Sequence, residues 1–382
     1  MVTSGRRGSW FSRGKLLLTG EYVVLKGAAA LALPVKFGQG LEWWGDRSAR
    51  KLEWDTFVKG EKWFSAVFTV SGDGYAVESS SDATRAGFIV KILNAAARLT
   101  HERLPAGRAE SSVGFDMGWG LGSSSTLISN IAWLFDVNPF ALHFMVSEGS
   151  GYDIACARSD MPLVYRLEDS RPLDGRPLQD DRPPDESPVR NDSRKDGPRP
   201  DGPPPPGRTA EAGGATDAEK DDEHGEDRIG DSPMPVYRHI SFNPPFSGDL
   251  YFAYTGRKQD SAGSVAGFLS GAGAEKSVPD NVLGRISEIT AAVTEVTDAD
   301  SFVGLLEEHD RLIGSLTGAL HPREGVFAGF PGYVKPLGAW GGDFVLLTWK
   351  EGYGRLKNLL EQKGIDVVLP WDKIIYNAVE RE

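Results

Sequence analysis

The sequence has little of what several common classes of protein require. It contains one cysteine, Cys156, among 382 residues, which excludes an internal disulfide and a metal site built from several cysteines. Its six histidines show no metal-binding spacing such as H-E-x-x-H. No apolar run approaches the ~20 residues that span a membrane, and no signal-peptide core follows the basic N-terminus. The sequence therefore predicts a cytoplasmic protein without a membrane segment.

Charge is unevenly distributed along the chain. The net charge is −12, but 19 acidic and 10 basic residues lie between positions 168 and 231, so most of the charge belongs to this segment. Outside it, no strongly basic face that would suit a nucleic acid is evident. Proline, glycine, aspartate and arginine dominate the same segment, and large apolar residues almost vanish. Such a composition cannot bury enough surface to offset the entropy of ordering, which predicts a disordered acidic insertion over 168–232.

The rest of the chain mixes strands and helices without a regular βαβ repeat, which predicts an α+β fold. Two similar segments, MPLVYR at 161–166 and MPVYR at 234–238, flank the insertion and predict a hairpin with an expanded tip. Alternation over 41–78 predicts an antiparallel meander whose aromatic side chains we assign to the core. Residues 14–25 predict two short buried strands around a Thr-Gly-Glu turn.

The most informative stretch reads GWGLGSSST at 118–126 and is followed by an apolar run at helical spacing over 127–135. Glycines let the backbone approach a ligand closely, and a helix N-terminus offers free N–H groups and a positive dipole. Together they indicate a site for a phosphate. An ordinary glycine turn with serine caps is the alternative interpretation.

Common nucleotide-binding motifs do not fit this stretch, because no lysine follows Gly122 as in a Walker A loop and the glycine spacing is not G-x-G-x-x-G. Phosphoryl transfer needs a phosphate cradle, a Mg²⁺ ligand, a positive charge and a group that orients or deprotonates the acceptor. Glycine turns elsewhere supply candidates for these roles. Lys15 offers the charge and Asp153 accepts a proton, although a surface lysine and a helix cap remain alternative interpretations. The further carboxylates that suit a metal or a substrate are Glu21 and Glu148.

Three motifs in order resemble those of the GHMP small-molecule kinases: GKLLLTGEY at 14–22, GLGSSS at 120–125 and GAWGGD at 338–343. The element GSGYDIA at 149–155 is similar to one in phosphomevalonate kinases and marks a bacterial branch of the superfamily. The resemblance implies a two-domain α+β fold. An N-terminal ATP-binding domain would span 1–167, and a ferredoxin-like C-terminal domain would span 233–382.

The resemblance also implies roles for individual residues. Asp153 and Lys15 would be catalytic, Ser124 would ligate Mg²⁺, and Glu148 is a second metal candidate. ATP would place its phosphates along the second motif, at Gly120, Leu121, Gly122, Ser123, Ser124 and Ser125. The substrate would contact the first motif, the Asp153 element and the third motif, at Glu21, Tyr22, Gly151, Gly341, Gly342 and Asp343.

Departures from the motifs bear on the acceptor. Mevalonate kinases carry a metal-binding glutamate about eleven residues before the aspartate, where this chain has Leu142, which favours phosphomevalonate over mevalonate. Trp119 stands within the second glycine segment without an evident reason. We expect transfer of the ATP γ-phosphoryl to phosphomevalonate or mevalonate. The alternatives are a homoserine or sugar acceptor, a catalytically silent nucleotide-binding member and a diphosphomevalonate decarboxylase, which no feature favours. The expected partner is a small molecule, and a homodimer is left open.

Overall fold

A computed structural model describes residues 7–72, 74–168, 234–256, 263, 267–268, 278–338 and 344–377. The predicted insertion, apart from its first residue Glu168, lies outside these ranges, as do Gly341, Gly342 and Asp343 and most of a short helix expected after the turn at 255–261. Predictions about those residues stay predictions. Within the described residues, no helix is both long enough and apolar enough to cross a bilayer.

Residues 7–168, together with a strand at 234–239, form a large mixed sheet. Its strands are β1 (Arg7–Thr19), β2 (Ala30–Gly45), β3 (Lys51–Val58), β4 (Glu61–Ser71), β5 (Gly74–Ser80), β6 (Gly107–Val113), β7 (Leu163–Glu168) and β8 (Met234–His239). The strand order is β5-β4-β3-β6-β2-β7-β8, with β1 paired to β2. The predicted meander is correct for β3 to β5, which pair antiparallel in sequence order. It is wrong for β2, because β6 lies between β2 and β3 and runs parallel to β3.

Four helices accompany this sheet: α1 (Ala83–Leu99), α2 (Ser123–Phe135), α3 (Pro139–Val146) and α4 (Tyr152–Ala157). The side chains of Asp82 and Asn138 accept backbone N–H groups at the starts of α1 and α3, as expected for N-caps. The apolar stripes of α1, α2 and α3 pack with Trp54, Phe64 and Phe68 of the sheet in one buried cluster. The prediction that the aromatic residues of 41–78 belong to the core is confirmed for these three, whereas Trp63 is exposed.

The C-terminal part contains a smaller sheet made of β9 (Leu250–Tyr254), β10 (Val334–Pro336), β11 (Phe344–Thr348) and β12 (Val368–Pro370). Its order, β10-β11-β9-β12 with antiparallel neighbours, is the strand order of the expected ferredoxin-like arrangement. Helices α5 (Asp280–Val293) and α6 (Ala299–Thr317) pack with the side of β9 that carries Phe252. Helix α7 (Tyr353–Glu361) packs with the side that carries Tyr251, and α8 (Trp371–Ile374) follows β12.

Two local predictions have different outcomes. The hairpin prediction is confirmed, because β7 and β8 pair antiparallel with Glu168 opposite Met234. The strand expected at 23–25 is wrong, since Val23–Lys26 form a 3-10 helix that ends at Gly27 with φ 86°. Val23 and Val24 are buried, so their apolar character reflects packing under a turn and not strand pairing.

Candidate active site

The second glycine segment leads directly into α2 and is held by β1. Gly120 and Gly122 have φ of 65° and 90°, conformations that favour glycine. The backbone N–H of Lys15 donates to the carbonyl of Leu121 at 3.0 Å, and its Nζ donates to the carbonyl of Gly120 at 3.0 Å. A Cβ on Gly122 would stand 2.8 Å from Ser125 Oγ and 3.3 Å from Lys15 Cγ. The structure therefore brings the first and second motifs into direct contact.

The start of α2 has the features of an anion site. Gly122 occupies the cap position, and no side chain caps the helix, so its first N–H groups point towards the glycine loop without a side-chain acceptor. Ser125 Oγ donates to the carbonyl of Gly122 at 2.8 Å, whereas Ser124 is exposed to solvent. Ser125 thus supports the loop, and Ser124 presents its hydroxyl at the helix start.

Buried hydrogen bonds fix α2 against the large sheet. Thr126 Oγ1 contacts Gln39 Oε1 at 2.6 Å, and Gln39 Nε2 donates to Ser111 Oγ at 2.6 Å. One turn later, Asn130 Nδ2 donates to the carbonyl of Gln39 at 2.9 Å. Gln39 lies on β2 and Ser111 on β6, so hydrogen bonds to the sheet fix the orientation of α2. The glycine loop consequently leads into a helix that is held rigidly against the sheet.

Asp153 lies in the first turn of α4, next to the lysine. Gly151 begins this helix with φ 85°, and Asp153 Oδ1 accepts the N–H of Ile154 at 3.0 Å. Lys15 Nζ is 5.6 Å from the ring centre of Tyr152. Burial raises the pKa of Tyr152 to about 12; Lys15 opposes this shift and Asp153 adds to it. The Tyr152 phenol is thus neutral near pH 7, and the charges of both Lys15 and Asp153 influence its pKa.

Glu21 lies in a buried cluster of ionisable side chains, which we call the Glu21 cluster: Glu21, His309, Asp310, His321, Tyr333 and Lys335. The ammonium of Lys335 contacts Glu21 Oε1 at 2.5 Å and Asp310 Oδ1 at 3.0 Å. Tyr333 donates its hydroxyl to Asp310 Oδ2 at 2.6 Å, and His321 Nε2 lies 3.3 Å from the same oxygen. The side chains of Glu21 and Lys335 are 1% and 0% exposed.

His309 connects this cluster to the backbone at the end of β1. Its Nε2 accepts the N–H of Gly20 at 2.9 Å and also lies 3.1 Å from Glu21 Oε2. These contacts need opposite protonation states, because only an unprotonated nitrogen accepts and only a protonated nitrogen donates. Burial, the largest single effect, would lower the pKa of His309, but the charge of Glu21 and the hydrogen bonds to Asp310 and Glu21 together raise it. Protonation therefore favours the contact with Glu21.

The same balance decides the charges of the other two groups. Burial would raise the pKa of Asp310, yet the ammonium of Lys335 and the neighbouring histidines lower it well below its usual range. Burial would lower the pKa of Lys335, but Asp310 and Glu21 raise it. Asp310 is therefore a carboxylate and Lys335 an ammonium, each stabilised by its neighbours.

The residue after Glu21 has a strained backbone. Tyr22 has φ 63° and ψ −47°, and the N–H of Val23 donates to the carbonyl of Glu21 at 2.7 Å. This is a γ-turn with positive φ at its centre, which is rare and strained for a residue with a side chain. The half-buried ring of Tyr22 lies 5.4 Å from that of Phe268. Of the two residues in the first motif expected to bind substrate, Glu21 is therefore buried among charged groups, whereas Tyr22 is half-buried beside an aromatic ring.

The structure brings together some of the expected site residues and not others. Lys15, Gly120–Ser125 of the glycine segment and the Asp153 helix meet, and Gly151 is buried behind them with Tyr165 close by. Glu148 is exposed in the loop between α3 and α4. Among the described residues, no three His, Cys, Asp or Glu side chains form a group that would hold a metal.

Sequence reasoning missed Lys335, His309 and Asp310. One signal was available, because α6 places Phe302, Leu306, Asp310 and Ile313 on one buried stripe, where an acidic residue is unexpected. Trp119, unexplained by the motif, packs edge-on between Phe37 and Phe344 with ring centres 5.6 and 5.7 Å away. It attaches the glycine segment to β11 of the smaller sheet.

Comparisons with known proteins identify a shared fold. No protein-family model and no curated protein sequence matches the chain. Among solved structures, S. pneumoniae phosphomevalonate kinase in complex with phosphomevalonate and AMPPNP is similar, with TM-score 0.57 and 14% identity over 94% of this chain and 98% of that one. L. major mevalonate kinase in complex with R-mevalonate has TM-score 0.54 and 12% identity over 94% and 92% of the two chains.

A third similar structure widens the range of substrates in this comparison. L. lactis galactokinase complexed with galactose has TM-score 0.55 and 10% identity over 94% of this chain and 90% of that one. At such identities the likeness establishes the fold and leaves the substrate open. The neighbours are the mevalonate, phosphomevalonate and galactose kinases of the superfamily that the motifs resemble. The chain therefore has the two-sheet α+β fold of the GHMP kinases.

Proposed function

We propose that the protein is an ATP-dependent small-molecule kinase whose acceptor is phosphomevalonate or mevalonate. The observation that carries the proposal is the contact between Lys15 and the carbonyl of Gly120 at the uncapped start of α2, beside the helix of Asp153. The fold of the neighbours supports a kinase, and two of them hold mevalonate or phosphomevalonate. The buried Leu142, at the position of a metal-binding glutamate in mevalonate kinases, favours phosphomevalonate.

The residues present suit ATP and Mg²⁺. A Cβ at Gly122 would stand 2.8 Å from Ser125 Oγ and 3.3 Å from Lys15 Cγ, so glycine leaves room for these two side chains at the start of α2. Ser124 and Glu148 offer oxygen atoms, which are the ligands that Mg²⁺ prefers, and such sites use few protein ligands together with phosphates and water. When bound, ATP supplies the phosphoryl group and Mg²⁺ neutralises phosphate charge.

The chain's own residues would then act by position and charge. The first N–H groups of α2 bind phosphate oxygens, and the Lys15 ammonium, oriented by Gly120, stabilises negative charge that develops during transfer. Asp153 deprotonates the hydroxyl if the acceptor is mevalonate. If the acceptor is phosphomevalonate, its phosphate is already an anion, and Asp153 orients it.

An assay of ATP consumption against a panel of acceptors tests the proposal. We expect turnover with phosphomevalonate or mevalonate and none with homoserine or galactose. Turnover with homoserine or galactose alone would contradict the proposed acceptor but keep the kinase. Binding of ATP without turnover on any member of the panel would identify the silent nucleotide-binding alternative.

Substitution of Asp153 tests the proposed chemistry. Asp153→Asn should lower kcat by about 10²-fold to 10⁴-fold, the usual contribution of a positioned acid or base, while ATP binding measured by calorimetry stays close to that of the wild type. Asp160→Asn is the matched control, because Asp160 is an exposed aspartate paired with Arg13 at 3.1 Å. Wild-type turnover in Asp153→Asn would refute the assigned role.

A further inference from the structure

The Glu21 cluster joins parts of the chain that are far apart in sequence. Glu21 follows β1, His309 and Asp310 lie on α6, and Lys335 is the middle residue of β10. The ammonium of Lys335 donates hydrogen bonds to Glu21 Oε1 and to the carbonyl of Pro336 at 2.8 Å, and it forms an ion pair with Asp310 Oδ1 at 3.0 Å. It is therefore held inside the protein by two carboxylates and a carbonyl.

The burial of Glu21 argues against direct contact with a substrate. Its side chain is 1% exposed, Oε1 contacts Lys335 and Oε2 lies 3.1 Å from His309. A substrate would need to displace an ammonium or an imidazole from a site without access to solvent. The carboxylate is thus arranged to hold the chain in place and not to receive a ligand.

The part of the chain that Glu21 holds is the strained turn at Tyr22. Strained conformations persist only where the surrounding structure fixes them from more than one side. Here His309 Nε2 lies 3.1 Å from Glu21 Oε2, Lys335 contacts Glu21 Oε1, and the N–H of Val24 donates to the carbonyl of Gly20 at 3.0 Å. The cluster supplies two of these three constraints.

We propose that Lys335 is a positioning residue, which holds Glu21 and through it the turn at Tyr22, so that Tyr22 faces the acceptor in one arrangement. Lys335 acts through Glu21, and Glu21 does not touch the acceptor. The proposal rests on the proposed kinase function for the role of Tyr22, and on the geometry of the cluster for the rest.

The test uses the variants Glu21→Gln, Lys335→Met and the double variant Glu21→Gln/Lys335→Met. Lys335→Met leaves two carboxylates without their ammonium and is expected to be the least stable, whereas the double variant removes one charge of each sign, which buried sites often tolerate. In the double variant, backbone amides over residues 20–25 should exchange with solvent about tenfold faster than in the wild type. The acceptor KM should rise about tenfold and the ATP KM should change less than about twofold.

Combining the variants distinguishes positioning from direct binding. If Lys335 acts through Glu21, the double variant should lose no more acceptor affinity than the worse single variant, because both substitutions break the same ion pair. Multiplicative losses in acceptor KM would overturn the proposal and identify Glu21 as an acceptor ligand. Unchanged exchange over 20–25 in the folded double variant would also overturn it.

A milder pair of variants keeps the proposal testable if the double variant does not fold. Tyr333→Phe removes only the hydroxyl bonded to Asp310 and should shift exchange over 20–25 and acceptor KM in the same direction, by about twofold to threefold. Tyr75→Phe removes a buried hydroxyl bonded to the carbonyl of Pro105 at 2.7 Å and should change neither. Equal behaviour of the two variants would refute the positioning role.

The exchange measurement separates this proposal from the proposed function. If the wild-type protein shows no turnover on the acceptor panel, the kinase proposal fails, and exchange over 20–25 alone decides whether Lys335 holds the turn. If the wild type is active and the exchange and kinetics of the variants match it, the kinase proposal survives and the positioning proposal fails.

Discussion

At the level of single residues, Tyr22 has a backbone conformation that its own chemistry does not favour. Its φ of 63° and ψ of −47° lie where a side chain crowds the backbone. The residue lies between Glu21, whose carboxylate is fixed by Lys335 and His309, and Val23, which is buried. The strain is therefore imposed by packing and ion pairs on either side of the residue.

Replacing Tyr22 by glycine and by alanine separates the backbone strain from the loss of the ring. Both variants lose the contact with Phe268, but only alanine keeps the Cβ that causes strain. We expect Tyr22→Gly to have a free energy of unfolding about 1 kcal/mol higher than Tyr22→Ala, measured by urea denaturation. At the exposed Lys26 in the 3-10 helix, the same pair should show the reverse order. Equal stabilities at position 22 would mean that the turn relaxes in the variants.

Sequence reasoning identified the residues of the first motif but not their surroundings. Glu21 was expected to bind substrate, and the structure places it among buried partners from α6 and β10, which is consistent with a different role. No local pattern near position 21 indicates His309 or Lys335, which lie about 300 residues away in the sequence. Such ion pairs depend on tertiary packing, and they become visible only when the sheets are assembled.

At the level of elements, the start of α2 is the point where the glycine segment, β1 and the smaller sheet meet. Its position follows from three sets of contacts: Lys15 with the carbonyls of the loop, Thr126 with Gln39, and Trp119 with Phe344. The first two are hydrogen bonds and the third is aromatic packing. Small displacements of this helix start would alter the direction of its free N–H groups.

Substituting Gly122 by alanine tests the close approach at this point. Gly60 has the same φ of 90°, but a Cβ there would meet nothing within 4 Å. Gly60→Ala therefore reports only the conformational strain, about 1–2 kcal/mol. Gly122→Ala should lower the free energy of unfolding by about 1 kcal/mol more, because its Cβ would force Ser125 Oγ to move and would press against Lys15. Denaturation and kcat measured on both variants check this, and equal effects would show that the loop has room to move.

The elements that were predicted correctly are those whose sequence patterns lie within one short segment. The α2 helix and the β7–β8 hairpin were predicted because helical periodicity and matching strand sequences are contained in short segments. The position of β6 between β2 and β3 was not predicted, because alternating apolar residues indicate which face of a strand is buried but not which strand lies next to it. Trp119 was unexplained for the same reason, since Phe344 belongs to a distant strand.

At the level of the whole molecule, the buried charges make stability depend on pH. The pKa of His309 is raised above its ordinary 6.5, so its contribution is fully present below pH 6.5 and is lost as pH rises through the folded-state pKa. The pKa of Asp310 is lowered from 3.8, so its contribution is present above pH 3.8 and is lost as pH falls towards the folded-state pKa. Between these limits both groups stabilise the folded protein.

The loss above pH 6.5 tests the state of His309. The wild type should lose about 1.4 kcal/mol of unfolding free energy for each unit by which the pKa is raised. His309→Gln cannot titrate at this position and should show a flatter stability profile above pH 6.5 in chemical denaturation. His101→Gln, at an exposed position, is the control and should keep the wild-type slope. Identical slopes for wild type and His309→Gln would contradict the assignment.

Removing the insertion tests whether the fold needs it. Glu168 and Met234 lie opposite each other at the end of β7 and β8, so a few residues suffice to join them. Deleting residues 170–231 should leave kcat unchanged and raise the unfolding free energy by about 2–3 kcal/mol, because closing a shorter loop loses less entropy. A glycine-serine segment of the original length is the control for sequence. Loss of activity in both variants would show that the insertion contributes to the active protein.

The complete burial of Lys335 also affects its chemical reactivity. An amine reagent that modifies exposed lysines such as Lys373, whose side chain is 68% exposed, has no access to an ammonium that is 0% exposed. Modification of Lys335 requires the cluster to open and the ammonium to lose a proton that its two carboxylate neighbours stabilise. Its labelling rate, measured by mass spectrometry, would therefore report how often β10 separates from the end of β1. Lys335 is thus a natural probe of local opening between the two sheets.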